Sequence, residues 1–270
     1  MVITHARTQS PSSINIYKQC PRKYYYQYIE KIPTKTNIHL VRGSIAHKIL
    51  EDFFSIEIKD DDPLLGDTLF RWINSLFEKE WEKNKDDLSS LDMEKSQLDF
   101  YKEETKAMLN TWLGSFLKRL SKAHDNPSKA FEILTPRMEV LYHSDNYGVK
   151  GFIDVIEEID DEVRLIDYKT SKKAHLSDAY KLQLAIYALL YKEKHGVMPR
   201  KVGISFLKFG EIHELAVDQK LLDFAELEIE LIHMNTQFRN KEDYPKNITP
   251  LCKWSTGQCD FYDVCFKSKR

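Results

Sequence analysis

Asp154, Asp167 and Lys169 are the residues whose types and spacing point most directly to chemistry. They lie on two β-type runs, 148–159 and 162–170, that flank Asp160-Asp161. A two-residue hairpin loop there pairs Ile159 with Glu162 and, counting back along both strands, Asp154 with Asp167. A four-residue loop on the same centre keeps that register, whereas an odd loop or a bulge shifts it by one. Lys169, two residues beyond Asp167, faces the same side of its strand. Two carboxylates opposed on one face repel unless something positive lies between them, and a divalent cation is the natural choice. Hard oxygen ligands suit magnesium or manganese, and two carboxylates leave positions for water and a phosphate oxygen. The lysine would orient or deprotonate the attacking water and stabilise charge growing at the phosphorus centre. A solvated hairpin with exposed acids is the plain alternative. The apolar neighbours Val155, Ile156, Leu165 and Ile166 speak against it, because they mark buried strands.

Four cysteines form the second group: Cys20 near the start, then Cys252, Cys259 and Cys265 near the end. By count they could make two disulfides. In a reducing cytosol a metal or cluster site is the better reading.

The elements that must position these residues fall into two sets. Helical patterns come first: one capped by Ser12 or Ser13 and broken at Cys20-Pro21, a second over 41–54, and two more over 65–85 and 93–122. After the turn signal Asn126-Pro127 the pattern changes to β-type runs over 131–142, 148–159 and 163–170. A helix over 178–195, strands over 202–209 and 212–217, and an Asp-capped helix over 218–239 follow. Strands interrupted by one helix and led by helices describe an α+β core. The run Arg22–Tyr28 mixes basic and tyrosine residues. It could stack on the bases of a single strand or pack its rings on the core.

Gly151-Phe-Ile-Asp154, Ile166-Asp167-Tyr168-Lys169-Thr170 and Gln183-Leu-Ala-Ile-Tyr187 together resemble the RecB-like branch of the PD-(D/E)XK nucleases. That branch includes the CRISPR adaptation exonucleases called Cas-four and the nuclease domain of AddB. The resemblance implies a restriction-endonuclease-like fold, a central mixed β-sheet flanked by helices. It implies that Asp154 and Asp167 ligate the metal, that the Tyr168 carbonyl adds a ligand, and that Lys169 is catalytic. Gln183 and Tyr187 share a helix face, and the family's Q-x-x-x-Y motif implies that they place the substrate backbone and the lysine. His47, in Arg42-Gly43-Ser-Ile-Ala-His47, resembles the family's G-x-x-x-H motif, which implies a metal ligand or phosphate contact. Glu139 stands where parts of the family carry a glutamate. One cysteine followed by three resembles the iron-sulfur members, which implies a 4Fe-4S cluster on Cys20, Cys252, Cys259 and Cys265, with tetrahedral zinc as the runner-up. The family's last three cysteines are spaced by two and then five residues; here the spacers are six and five. On this basis residues 1–270 read as one nuclease domain: N-terminal helices with Cys20 and His47 to residue 58, a helical insertion over 59–126, a catalytic core over 127–217, and a C-terminal helix with a cysteine loop over 218–270.

Composition sets the outer limits. A net charge of -2 gives no field that by itself recruits nucleic acid, so such binding must rest on local patches. The longest apolar runs fall short of the roughly 20 residues of a membrane span. Met1–Ser10 lacks the apolar centre of a signal peptide, so a cytoplasmic protein is expected. No G-x-x-x-x-G-K-[ST] loop supplies an ATP motor. The expectation is a metal-dependent DNA exonuclease that prefers single strands or free ends, acting in repair, recombination or CRISPR adaptation, alone or with a helicase or adaptation partner. Its alternatives are a noncatalytic nucleic-acid-binding iron-sulfur module and an RNA nuclease.

Overall fold

Asp160 and Asp161 both adopt positive φ, 52° and 59°, which is the backbone of the tight two-residue turn that joins strands without opposing their twist. That turn connects strand β2 (Val149–Ile159) to β3 (Glu162–Lys169), and the ladder runs from Ile159↔Glu162 to Val155↔Ile166. The register is the one expected from the sequence. The structure, a computed structural model, describes residues 6–58, 64–255 and 257–266. Met1–His5, and the junction at 59–63 where the insertion was expected to begin, lie outside the described residues.

Five strands form the main sheet in the order β1-β2-β3-β4-β5. Strand β1 (Arg137–Ser144) pairs antiparallel with β2, β3 pairs parallel with β4 (Lys201–Phe206), and β4 pairs antiparallel with β5 (Glu211–Ala216). The parallel step needs a crossover, and a helix from Asp178 to His195 supplies it, capped by Ser177 and ended by Gly196 at φ 75°. This is the mixed sheet with flanking helices of an α+β fold.

Helices cover both faces. On one side α1 (Pro11–Gln19), α8 (Asp178–His195) and α9 (Gln219–Asn235) bury Ile14, Leu184, Ile186 and Ile229 against Ile153, Leu165 and Ile204. The other face carries α3 (Ile38–Phe53), α4 (Leu65–Lys83), the short α5 (Lys85–Ser89), α6 (Lys95–Ala123) and α7 (Pro127–Leu134). These share one core with Val155, Ile166 and Tyr168. The helices of the expected insertion are therefore built into the layer that covers the sheet.

Several boundaries differ from the sequence expectation. Ser10, rather than Ser12 or Ser13, caps the first helix, because Pro11 suits the first helical position and Ser13 returns the bond of a capping box. Residues 131–134 end α7 and are not strand; Asn126 caps that helix and Pro127 opens it. The strand near 202–209 stops at Phe206 before a turn with Gly210 at φ 64°. The last long helix ends at Asn235 instead of 239. The tyrosine run continues through α2 (Pro21–Tyr24) into a π-helical turn, Tyr25–Ile29. Tyr24, Tyr25 and Tyr26 are buried with Tyr244 and Phe261, so this run packs as core and does not offer those rings to bases.

Candidate active site

Apolar residues on β2 change faces at Asp154. Ile153 joins the core under α8, while Val155, two residues on, joins the core under α3 and α6. Strand β1 does the same around Glu139, with Val140 on the first side and Met138 on the second. Glu139 accommodates the switch with φ 50°, a left-handed backbone that costs a non-glycine residue about 1–3 kcal/mol. The β1–β2 register is continuous across the switch, Met138↔Val155 and Val140↔Ile153, which sets Glu139 beside Asp154. Asp154 is likewise next in line with Asp167 beyond Val155↔Ile166. Three carboxylates thus occupy one row across three strands.

His47 reaches this row from α3. Its Nδ1 lies 3.3 Å from Asp154 Oδ2 and 3.5 Å from Glu139 Oε1, and its Nε2 lies 3.0 Å from the Tyr168 carbonyl oxygen. His47, Glu139 and Asp154 form a group whose ligand atoms all fall within 4.8 Å of one another, close enough to share one ion. Asp154 Oδ2 also accepts the Tyr168 backbone N–H at 2.8 Å. Asp167 is held differently: Gln183 Nε2 donates to its Oδ1 at 2.6 Å, and Lys169 Nζ lies 2.5 Å from its Oδ2. Gln183 Nε2 also donates to the Tyr187 hydroxyl at 2.8 Å. Gly151 makes room for that tyrosine, since a Cβ there would meet the Tyr187 ring at 2.9 Å. The cleft above has a volume of about 650 Å³ and is walled by His39, Gly43, His47, Glu139, Lys169 and Thr170.

Burial and the charge of Asp167 push the Asp154 carboxyl up to about 7, against the opposing pull of His47 and the Tyr168 N–H. Burial pulls His47 down, but its bond to Glu139 and the charges of Asp154 and Asp167 outweigh that and push it up to about 9. Burial also works against the Lys169 ammonium, yet Asp167 beside it holds its pKa above the ordinary value. The donor set, one imidazole with carboxylate and carbonyl oxygens, fits a hard divalent ion such as manganese or magnesium. Glu139 is the acid least marked in the sequence. Its signal was the second hairpin: a four-residue turn over Asp145–Gly148 pairs Ser144 with Val149 and so places Glu139 opposite Asp154.

Cys20, Cys252 and Cys259 line one cavity, and Cys265 packs with Cys259 against the tyrosine cluster. Cys20 joins α1 to α2, and the Cys259 N–H donates to the Cys252 carbonyl at 3.0 Å. The unusual six-residue spacer folds as a hairpin, β6 (Lys253–Trp254) on β7 (Gly257–Gln258), with Cys252 and Cys259 at its base; Thr256 lies outside the described residues. Cys265 sits in the short helix α10 (Tyr262–Phe266). Asn247 Nδ2 donates to the Gln19 carbonyl and Arg22 Nε to the Tyr244 carbonyl, tying the C-terminal loop to the start of the chain. Burial pushes the Cys259 and Cys265 thiols up, and the nearby Cys20 raises both further. All four thiols are free and half-buried.

A mixed sheet that gathers Asp154, Asp167 and Lys169 under helix-borne Gln183 and His47 defines a nuclease of the PD-(D/E)XK class, and the chain belongs to that superfamily, whose profile it matches over residues 8–266. Among curated proteins it is 26% identical to Gene 69 protein of Mycobacterium phage D29, over 74% of each chain. It is 28% identical to one subunit of the ATP-dependent helicase/deoxyribonuclease of Clostridium perfringens, over 66% of this chain and only 17% of the relative's length. A crystal structure from Eubacterium rectale, described as "Putative exonuclease", shares the fold with a TM-score of 0.54 at 12% identity, over 98% of this chain and 89% of the other. PD-(D/E)XK nucleases use divalent metals. Among the described residues no helix is long and apolar enough to cross a membrane.

Proposed function

We propose that the chain is a deoxyribonuclease that hydrolyses phosphodiester bonds with magnesium or manganese, acting on single strands or free ends. The observation that carries this reading is the convergence of His47, Glu139 and Asp154 on one point of the cleft beside the Asp167–Lys169 pair. His47, Glu139, Asp154 and Asp167 would hold the ion, with the Tyr168 carbonyl beside them. A divalent ion held by these residues would supply a Lewis acid for a phosphoryl oxygen and would lower the pKa of bound water. Lys169, kept protonated by Asp167, donates to the phosphate oxygens and to the incoming water and stabilises the charge that builds in the transition state. Gln183 fixes the Asp167 carboxylate, and Tyr187 fixes Gln183.

The four cysteines would hold a 4Fe-4S cluster that joins the two ends of the chain. The one-plus-three division of the cysteines supports this reading, and a tetrahedral zinc on the same four thiolates is its alternative. The likeness to part of a helicase/deoxyribonuclease favours work beside a helicase in repair or recombination, and the one-plus-three cysteine arrangement extends the possibilities to CRISPR adaptation. A cytoplasmic location follows from that role.

The test is degradation of end-labelled linear and circular single-stranded DNA, with an RNA of the same sequence, in manganese. Loss of the linear DNA with the circle and the RNA spared is expected. Equal loss of the circle would remove the requirement for ends, and preference for the RNA would replace the substrate. Failure to cut any of them would overturn the nuclease reading.

A further inference from the structure

Lys169 has a second neighbour that the family motifs do not name. Its ammonium, on a side chain 23% exposed, lies 5.5 Å from the centroid of the Tyr180 ring while it contacts Asp167. Tyr180 is in the first turn of α8, where its N–H donates to the capping Ser177 hydroxyl at 3.3 Å. Its ring rests on Phe206 at 6.2 Å, and Phe206 is the residue paired with Lys169 in the β3–β4 ladder. The ring is therefore braced by the strand position next to the lysine it faces. Tyr180, Gln183 and Tyr187 recur at i, i+3 and i+7, so one stripe of α8 meets both Lys169 and Asp167.

We propose that Tyr180 is a positioning residue, whose ring face holds the Lys169 ammonium against Asp167 at the floor of the cleft. The inference rests on the reading that Lys169 acts in cleavage. A lysine stem is long and flexible, and a cation within about 6 Å of a ring centroid is attracted by the negative ring face. That attraction is a second restraint on the ammonium, added to its contact with Asp167. A ring that served only to fill space beside Phe206 would be replaceable by any apolar group of similar size.

Two substitutions separate these roles: Tyr180→Leu keeps an apolar filler and removes the ring face, whereas Tyr180→Phe keeps the face and removes the hydroxyl. With manganese and linear DNA, Tyr180→Leu should lower kcat by about tenfold with KM and manganese affinity unchanged, and Tyr180→Phe should restore most of it. A second readout needs no turnover. In metal-free protein carrying 13C-lysine, with Lys169 assigned through Lys169→Arg, the ring should shift the Lys169 ε-methylene protons upfield. That shift should vanish in Tyr180→Leu and persist in Tyr180→Phe. An unshifted wild-type signal, or full kcat in Tyr180→Leu, would overturn the proposal, as would a Phe variant as slow as the Leu variant. Wild-type protein inert with manganese would overturn the site reading itself, and the resonance would still decide whether Tyr180 holds Lys169.

Discussion

Asp154 is the residue where burial and repulsion meet, and its raised pKa is a statement about stability. A carboxyl that binds its proton more tightly in the fold than in the open chain stabilises the fold below its ordinary range, near 3.8, and loses that contribution as pH rises to about 7. His47 acts in the same direction at higher pH: its contribution is complete below 6.5 and is lost as pH rises through about 9. Metal-free protein should therefore lose stability steadily from mildly acidic to alkaline pH. Urea unfolding in chelator across that range checks this, and His47→Gln should flatten the part above 6.5. Asp154→Asn removes the repulsion with Asp167, so at pH 8 without metal it should melt above wild type while cleaving nothing. That Asp154 stands beside Asp167 was legible because a tight turn fixes register, and register fixes neighbours, whereas His47 was marked only by its likeness to a family motif. The division of labour was not legible, since nothing local in the sequence says that Asp167 belongs to Gln183 and Lys169 while Asp154 belongs to His47 and Glu139.

Elements do the positioning through a break in their own regularity. Alternation along β1 and β2 would keep 138, 140 and 142 on one face, and the left-handed Glu139 changes that inside continuous register. A two-residue periodicity cannot show such a switch, because both faces of this sheet are covered and both therefore read as apolar. Helix α6 is tied to the site wall by a buried charge: Arg42 on α3 pairs with Glu104, which also takes Lys208 beyond β4. Glu104→Ala strands a guanidinium whose side chain is 2% exposed and whose Nε already lacks a partner, so it should cost about 3 kcal/mol in urea unfolding. The six-residue cysteine spacer was visible as a departure, and its hairpin follows from Gly257, where the Trp254 ring packs at the place a Cβ would occupy. Gly257→Ala should loosen that hairpin, seen as weaker Trp254 burial in fluorescence quenching.

At the scale of the whole molecule, two groups of residues sit on one frame: acids in the middle of the sheet, and thiols where the loop after α9 meets the junction of α1 and α2. The α+β class, the succession of strands along the chain and the helix over 178–195 were legible from periodicity and caps; that this helix is a crossover between parallel strands was not. Helix α7 was not, because its short apolar run Phe131–Leu134 fits strand and helix patterns alike. If the thiols hold a cluster, protein purified without air should be brown with about four irons per chain. Cys20→Ala should then bleach it and free the C-terminal loop while leaving the Asp154–Asp167 hairpin formed. Colourless protein with one zinc would replace the cluster by a zinc staple. The central claim is that Asp154 serves a metal while Lys169 serves the chemical step, and manganese titration paired with DNA cleavage tests it most directly. Lys169→Ala should bind manganese as wild type does and fail to cut, and Asp154→Asn should do neither; near-normal turnover by Asp154→Asn, or loss of manganese binding in Lys169→Ala, would contradict the account.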